Sequence, residues 1–272
     1  MFKDNIFSAS RFMNLCRKNM VESWKVNLLR VVLMYAVMAV IFVWSAYFDY
    51  KNPLSNESII RTSLYVFLWF GTICGCISAS LTMENMKSKT SRLSALMTPA
   101  TPFEKFFSRW LVSTIVYIVV FIIAFTLADY TRVVIYSIAY PEQTIAAAQL
   151  KYLFATSGDY AIMQNGPDTI GALILLYFVF QSCFILGSSI WPKNSLIKTF
   201  VAGFAIILLQ GFIVGGVAQL LFNNPSFVGK VSPQNYEQNF KYLGLIWGSV
   251  IVLFNWILAY FRFKESEIIN RL

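Results

Sequence analysis

Any chemistry in this chain must come from carboxylates, amides, hydroxyls or four cysteines, because its 272 residues include no histidine. That removes Ser–His and Cys–His nucleophile pairs, histidine-held metals or haem, and histidine proton relays. Cys16, Cys74, Cys76 and Cys183 do not fill the gap. Cys74-Gly75-Cys76 has the wrong spacing for a redox or zinc CxxC motif, and no second pair completes a site. The cysteines read as small apolar residues in helices. The carboxylates form no paired acid/base motif. A G-x-x-x-x-G-K-[ST] phosphate loop is also missing, since the one Gly-Lys pair, Gly229-Lys230, is followed by Val231. No catalytic, cofactor-binding or metal-ligating residue is therefore expected. If the protein moves a solute uphill, the ATP and Mg are used by a partner.

The elements that would carry such a protein are written in its hydropathy. Hydrophobic residues make up 57% and charged residues 13%, with mean hydropathy +0.61. Soluble domains are about 25% charged. Phe (25 residues) and Tyr (14) suit lipid contact and the aromatic belts of a bilayer. Charge-free runs lie between Arg30 and Asp49, Arg61 and Glu84, Arg109 and Asp129, Asp168 and Lys193, Lys198 and Lys230, and Lys241 and Arg262. A helix of about 20 apolar residues crosses the hydrocarbon core, and only a helix satisfies its backbone within one run. The expected fold is an all-α polytopic membrane protein, one domain over 1–272. Its six transmembrane helices fall at about 28–48, 62–83, 109–129, 169–190, 198–221 and 242–262. The fifth run is the longest, and its surplus near Leu220–Val228 suits a re-entrant or interfacial piece.

Charge sets the orientation. With both termini cytosolic, 16 of the 22 Lys and Arg fall inside, giving a net +10 inside and −1 outside. That follows the positive-inside rule. The overall +9 is then a matter of topology and anionic head groups: membrane lipids are expected partners and nucleic acid is not. No secretory signal peptide is evident, because the first apolar run follows a Lys/Arg-rich stretch and no small-residue cleavage site succeeds it.

Four segments outside the spans have character. Residues 1–27 contain an amphipathic interfacial helix from Arg11 to Lys25. Phe12, Leu15, Cys16, Met20 and Trp24 share one face, Arg11, Arg17, Lys18 and Lys25 project elsewhere, and Ser8 or Ser10 caps it. In the inner loop 84–108, Met86–Met97 predicts a short basic helix and Thr98-Pro99-Ala100-Thr101-Pro102 a bend. Thr101 at N-cap, Pro102 at N1 and Glu104 at N3 then start a second helix with a capping box. This is either a stiff knuckle that receives force from a soluble partner or a hairpin joining two spans. The outer loops are 130–168, with a helix expected over Pro141–Phe154 and a turn at Asn165-Gly166-Pro167, and 222–241.

Ionisable side chains sit at or near the ends of the apolar runs, and Arg30 and Asp129 are close enough to an interface to snorkel. Polarity in mid-span is limited to neutral groups such as Gln181, Gln210 and Asn255. These amides either line a translocation path or hydrogen-bond between helices. Gly71-x-x-x-Gly75, Gly211-x-x-x-Gly215 and Gly244-x-x-x-Gly248 permit close helix approach.

The interfacial helix, six spans and long second-to-third inner loop resemble the permease subunit of an ABC-2 type transporter. Locally, Met97-Thr98-Pro99-Ala100-Thr101-Pro102-Phe103-Glu104-Lys105-Phe106 resembles the L-P-A-S/T-x-x-E-K-F segment of many bacterial members, particularly of Bacteroidetes-like lineages. Met97-Thr98 stands where those members carry Leu. The resemblance implies an exporter's membrane subunit in a bacterial cytoplasmic (inner) membrane, paired with a second permease subunit and driven by a cytosolic ABC ATPase subunit. It implies a coupling role for Lys87, Lys89, Arg92, Leu93, Leu96, Met97, Pro99, Pro102, Glu104 and Lys105. Residues 8–26 would be a connecting helix that moves with them. A membrane scaffold without transport activity, and an ion-coupled carrier, are the rival classes.

Overall fold

The computed structural model describes residues 7–51, 56–142, 145–155, 166–222 and 233–268. These are all helix, turn or irregular segment, with no strand among them. The helices are α1 (Ala9–Lys51), α2 (Asn56–Ser80), α3 (Lys89–Leu96), α4 (Pro102–Leu111), α5 (Tyr117–Ala139), α6 (Gly166–Ile190), α7 (Ser195–Phe222) and α8 (Pro233–Ile268). A five-residue π-helical turn, Val112–Val116, joins α4 to α5, so the helix runs unbroken from Pro102 to Ala139. Six helices are long and apolar enough to cross a membrane.

These six helices fall on the six apolar runs, but their ends do not. The expected interfacial helix and first span are one 43-residue helix, about 64 Å long at 1.5 Å per residue. Residues 9–51 contain neither Gly nor Pro, and charge alone does not end a helix. The helix that carries the third apolar run likewise begins at Pro102, outside that run, and passes Asp129 to reach Ala139. It stops there because Tyr140 precedes Pro141 and adopts non-helical angles (φ −132°, ψ 73°). α6 takes in Gly166 and Pro167, which were expected in a turn. α7 extends to Phe222, so the rest of the surplus run, to Val228, lies outside the described residues, as does most of the 222–241 loop before Pro233.

Two apolar clusters hold the bundle. Met34, Met38 and Phe42 of α1 pack with Ile60 and Leu64 of α2 and with Phe121 and Phe125 of α5. Nearer the 84–108 end, Ala79, Met83, Met86, Phe106, Ile185, Ala259 and Phe263 form the second. The Tyr35 and Thr131 hydroxyls meet at 2.8 Å, and the Tyr136 hydroxyl donates to the Val43 carbonyl at 2.7 Å. These contacts set α1 and α5 parallel, as first and third crossings of one chain would be. Of the three Gly-x-x-x-Gly pairs, Gly71 and Gly75 pack inside this chain. A Cβ would lie 2.8 Å from the Phe121 ring at Gly71 and 2.5 Å from the Tyr177 ring at Gly75. α7 stands apart: its residues from Phe204 to Ile213 face outward.

Candidate functional site

The 84–108 segment folds as helix, bend, helix. Ser88 caps α3 by accepting a hydrogen bond from the Ser91 amide, and α3 ends at Met97. Thr101 then opens α4 with the expected capping box, its hydroxyl accepting from the Glu104 amide while Glu104 Oε2 accepts from the Thr101 amide at 3.0 Å. Each of these bonds satisfies an N–H that the first turn of a helix would leave orphaned.

Glu104 does more than cap. Its Oε1 accepts from the Ser8 amide at 2.7 Å and from Arg11 Nη2 at 2.9 Å, and its Oε2 from Arg11 Nε at 2.7 Å. One buried carboxylate thus ties the bend, α4 and the first turn of α1 together. Burial alone would raise its pKa. The forked guanidinium and two backbone N–H donors outweigh that, and hold it at about 2. Around the clamp, Phe7, Phe12, Phe103 and Phe107 form a continuous set of ring contacts at 5.5–6.5 Å. Lys18 donates to the Thr98 hydroxyl at 3.1 Å, and Arg30 pairs with Glu84 at 2.6 Å. Arg109 lies over the Phe263 ring, and Trp110 and Trp256 meet at 5.0 Å, which carries the contact on to α8. The face of α1 that packs is therefore Phe12 and Leu15 with Arg11, Lys18 and Asn19, while Met20 and Trp24 stay outward. Arg11 and Lys18 were expected to project elsewhere. They turn inward because Glu104 and Thr98 offer them acceptors.

The ten residues implied by resemblance divide. Lys87, Lys89, Leu93, Met97 and Pro99 are exposed, Met97 by 82%, and Lys89, Leu93 and Met97 follow one another at four-residue steps along one side of α3. Arg92 is half-buried and donates to the Met86 carbonyl, and Pro102 is half-buried at the start of α4. Glu104 and Lys105 are buried. The Leu96 side chain lies outside the described residues.

Within the bundle, the amides separate too. Gln181 Nε2 donates to Thr114, inside the π turn, at 2.7 Å, and Asn255 donates to Ser182 at 3.1 Å. Both join helices. Gln210 faces outward from α7. Asp129 does not snorkel: Arg132 donates to its Oδ1 at 2.8 Å and the Ala148 amide to its Oδ2 at 2.6 Å, while Arg132 also donates to the Ala146 carbonyl. With their backbone groups held this way, residues 145–149 have no regular structure, and the helix expected over Pro141–Phe154 is reduced to a 3₁₀ turn at Leu150–Phe154. The Asp129-x-x-Arg132 spacing was a readable signal for this pair. Nothing in the sequence signals Arg11 with Glu104, 93 residues apart.

Fold and site together define a class: an all-helical chain with six helices of membrane-crossing length and apolarity, and a braced helical loop at one end. No family model, curated protein or solved structure matches the chain.

Proposed function

We propose that this protein is the membrane-spanning permease subunit of an ATP-driven ABC-2 type exporter, sited in a bacterial inner membrane with both termini in the cytosol. In this reading two permease subunits enclose the substrate path, and a separate ATPase docks on the 84–108 segment. The observation that carries the reading is the Glu104 clamp, which joins that segment to the first turn of α1. A loop that only connected two spans would gain nothing from being fastened to a third. Force applied to α3 passes through Glu104 and the phenylalanine contacts into α1, which is one rod from there to Lys51. ATP binding shifts the permease between closed and open states through differential contacts at the docking face.

Roles follow residue by residue. Lys87, Lys89, Leu93 and Met97 present the exposed charge and apolar surface for docking, while Glu104 and Lys105 act within the chain. Gln210, with the open Gly211 beside it, gives α7 a polar and closely approachable face for the second subunit.

The test is purification of the tagged protein from its native membranes, with vanadate-sensitive ATP hydrolysis as readout. K87E/K89E, at two exposed positions, should lose most of the co-purifying hydrolysis and keep the wild-type Tm. Equal hydrolysis at equal Tm removes the docking assignment. No ATP-dependent, vanadate-sensitive solute movement in vesicles of the wild-type complex would leave a membrane scaffold as the reading.

A further inference from the structure

The two apolar clusters take different parts of one long helix. Phe106 of α4 belongs to the cluster with Ala259 and Phe263 of α8, and Trp110 packs against it. Phe121 and Phe125 of α5 belong to the cluster with α1 and α2, and Tyr117 packs against that one. The π turn, Val112–Val116, lies between Trp110 and Tyr117. α2 and α6 also pass from one cluster to the other, but as regular α-helices. A single π turn inside an α-helix recurs at functional sites.

Polar groups around this turn are incompletely bonded. Trp110 Nε1, Trp256 Nε1, the Tyr177 hydroxyl and Gln181 Oε1 are buried and have no partner among the described residues. They come from α4, α8 and α6, and contacts link them. Trp110 meets Trp256, Trp256 meets the Phe178 ring at 6.2 Å, and Gln181, one turn beyond Phe178, donates to Thr114 inside the π turn. Buried polar groups in a settled packing are nearly all bonded. An orphaned group loses nothing when its neighbours move, so this belt can rearrange at small cost, as a core with two discrete packings does. The Arg11–Glu104 pair spans the same place from outside, since α1 packs on α5 at Met38 and Phe42 and on α4 at Arg11.

We propose that the π turn is a joint: α4, seated on α8, swivels against α5, seated on α1 and α2. The Gln181–Thr114 bond latches the arrangement seen, and the Glu104 clamp is a second latch at the far end of α4. The inference does not depend on the transport reading.

The full chain is purified in detergent with spin labels on p-acetylphenylalanine in place of Ile123 of α5 and Ile257 of α8, both exposed. The native cysteines then stay in place. Double electron–electron resonance reads the distance across the joint, and two resolved distances are expected. Q181L and E104Q should each raise the minor population about threefold or more, the worth of one hydrogen bond. Deletion of Ile115, an exposed residue within the turn, should leave a single distance. Q210L, an amide loss on the outward side of α7, should change nothing. One distance in the native sequence that persists in Q181L and E104Q overturns the proposal. So do two distances that survive deletion of Ile115, or whose proportion Q181L leaves unchanged or Q210L shifts equally.

Discussion

Glu104 and Asp129 are both buried carboxylates that accept from an arginine and from backbone N–H groups, yet they hold different kinds of joint. Asp129 pairs with Arg132 one turn along its own helix, and the two pin the 145–149 segment to α5. Glu104 reaches Arg11 across 93 residues and fastens one end of the molecule to another. Their arginines differ most: Arg132 is 1% exposed and Arg11 38%. A pair removed from water has no alternative partner and behaves as a fixed rivet. A pair whose arginine is solvated on one side can open at modest cost. The comparison places permanence at the end that holds the 145–149 segment and adjustability at the end proposed to receive a partner.

The difference can be broken most severely at Asp129. D129A leaves Arg132 buried without its charge partner, although the Arg132 Nη1 already finds no partner among the described residues. A loss of about 3–5 kcal/mol is expected, read as a large drop in Tm of the full chain in detergent. Replacing both members with apolar residues of similar volume should recover much of it. A D129A loss below about 1 kcal/mol would mean that water reaches the pair and that the contrast with Glu104 is wrong.

Glu104 should give a smaller and more local effect. E104Q keeps the shape but not the charge, and a cost of about 1–3 kcal/mol is expected, with faster tryptic cleavage at Arg11. Because the folded pKa of about 2 lies below the 4.5 of a free glutamate carboxyl, the clamp's contribution is fully present above pH 4.5. It is lost as pH falls toward 2. Wild type should lose stability across that window relative to E104Q, and parallel pH profiles would show that Arg11 does not hold the carboxylate. The smallest effect belongs to Thr101. T101A removes one cap acceptor and should cost about 1 kcal/mol, with the Arg11–Glu104 pair kept.

How much of this was legible depends on what each physical signal measures. The apolar runs placed all six long apolar helices because hydropathy over about 20 residues reports a length fit to cross a bilayer. It does not report helix length, so the unbroken run of α1 and the passage of the third span to Ala139 were hidden. The useful signal there was negative, the lack of Gly and Pro from 9 to 51 and from 103 to 139. The capping box at Thr101 was readable because its residues are neighbours. Arg11 with Glu104 was not, since it exists only once α1 and α4 are packed. The outer loop misled for a related reason: Ala146-Ala147-Ala148 has helical propensity, but Asp129 and Arg132 take its backbone groups.

The π turn at Val112–Val116 sets the angular relation of the two carboxylates. In an uninterrupted α-helix, residues 25 apart come back to within about 20° of the same azimuth. Glu104 and Asp129 would then look toward one side of the helix. One inserted residue withdraws about 100° of rotation and sets them roughly a third of a turn apart. A one-residue insertion near the middle of the span is thus a phase shifter. It lets a single continuous helix address the first turn of α1 at one end and the 145–149 segment at the other.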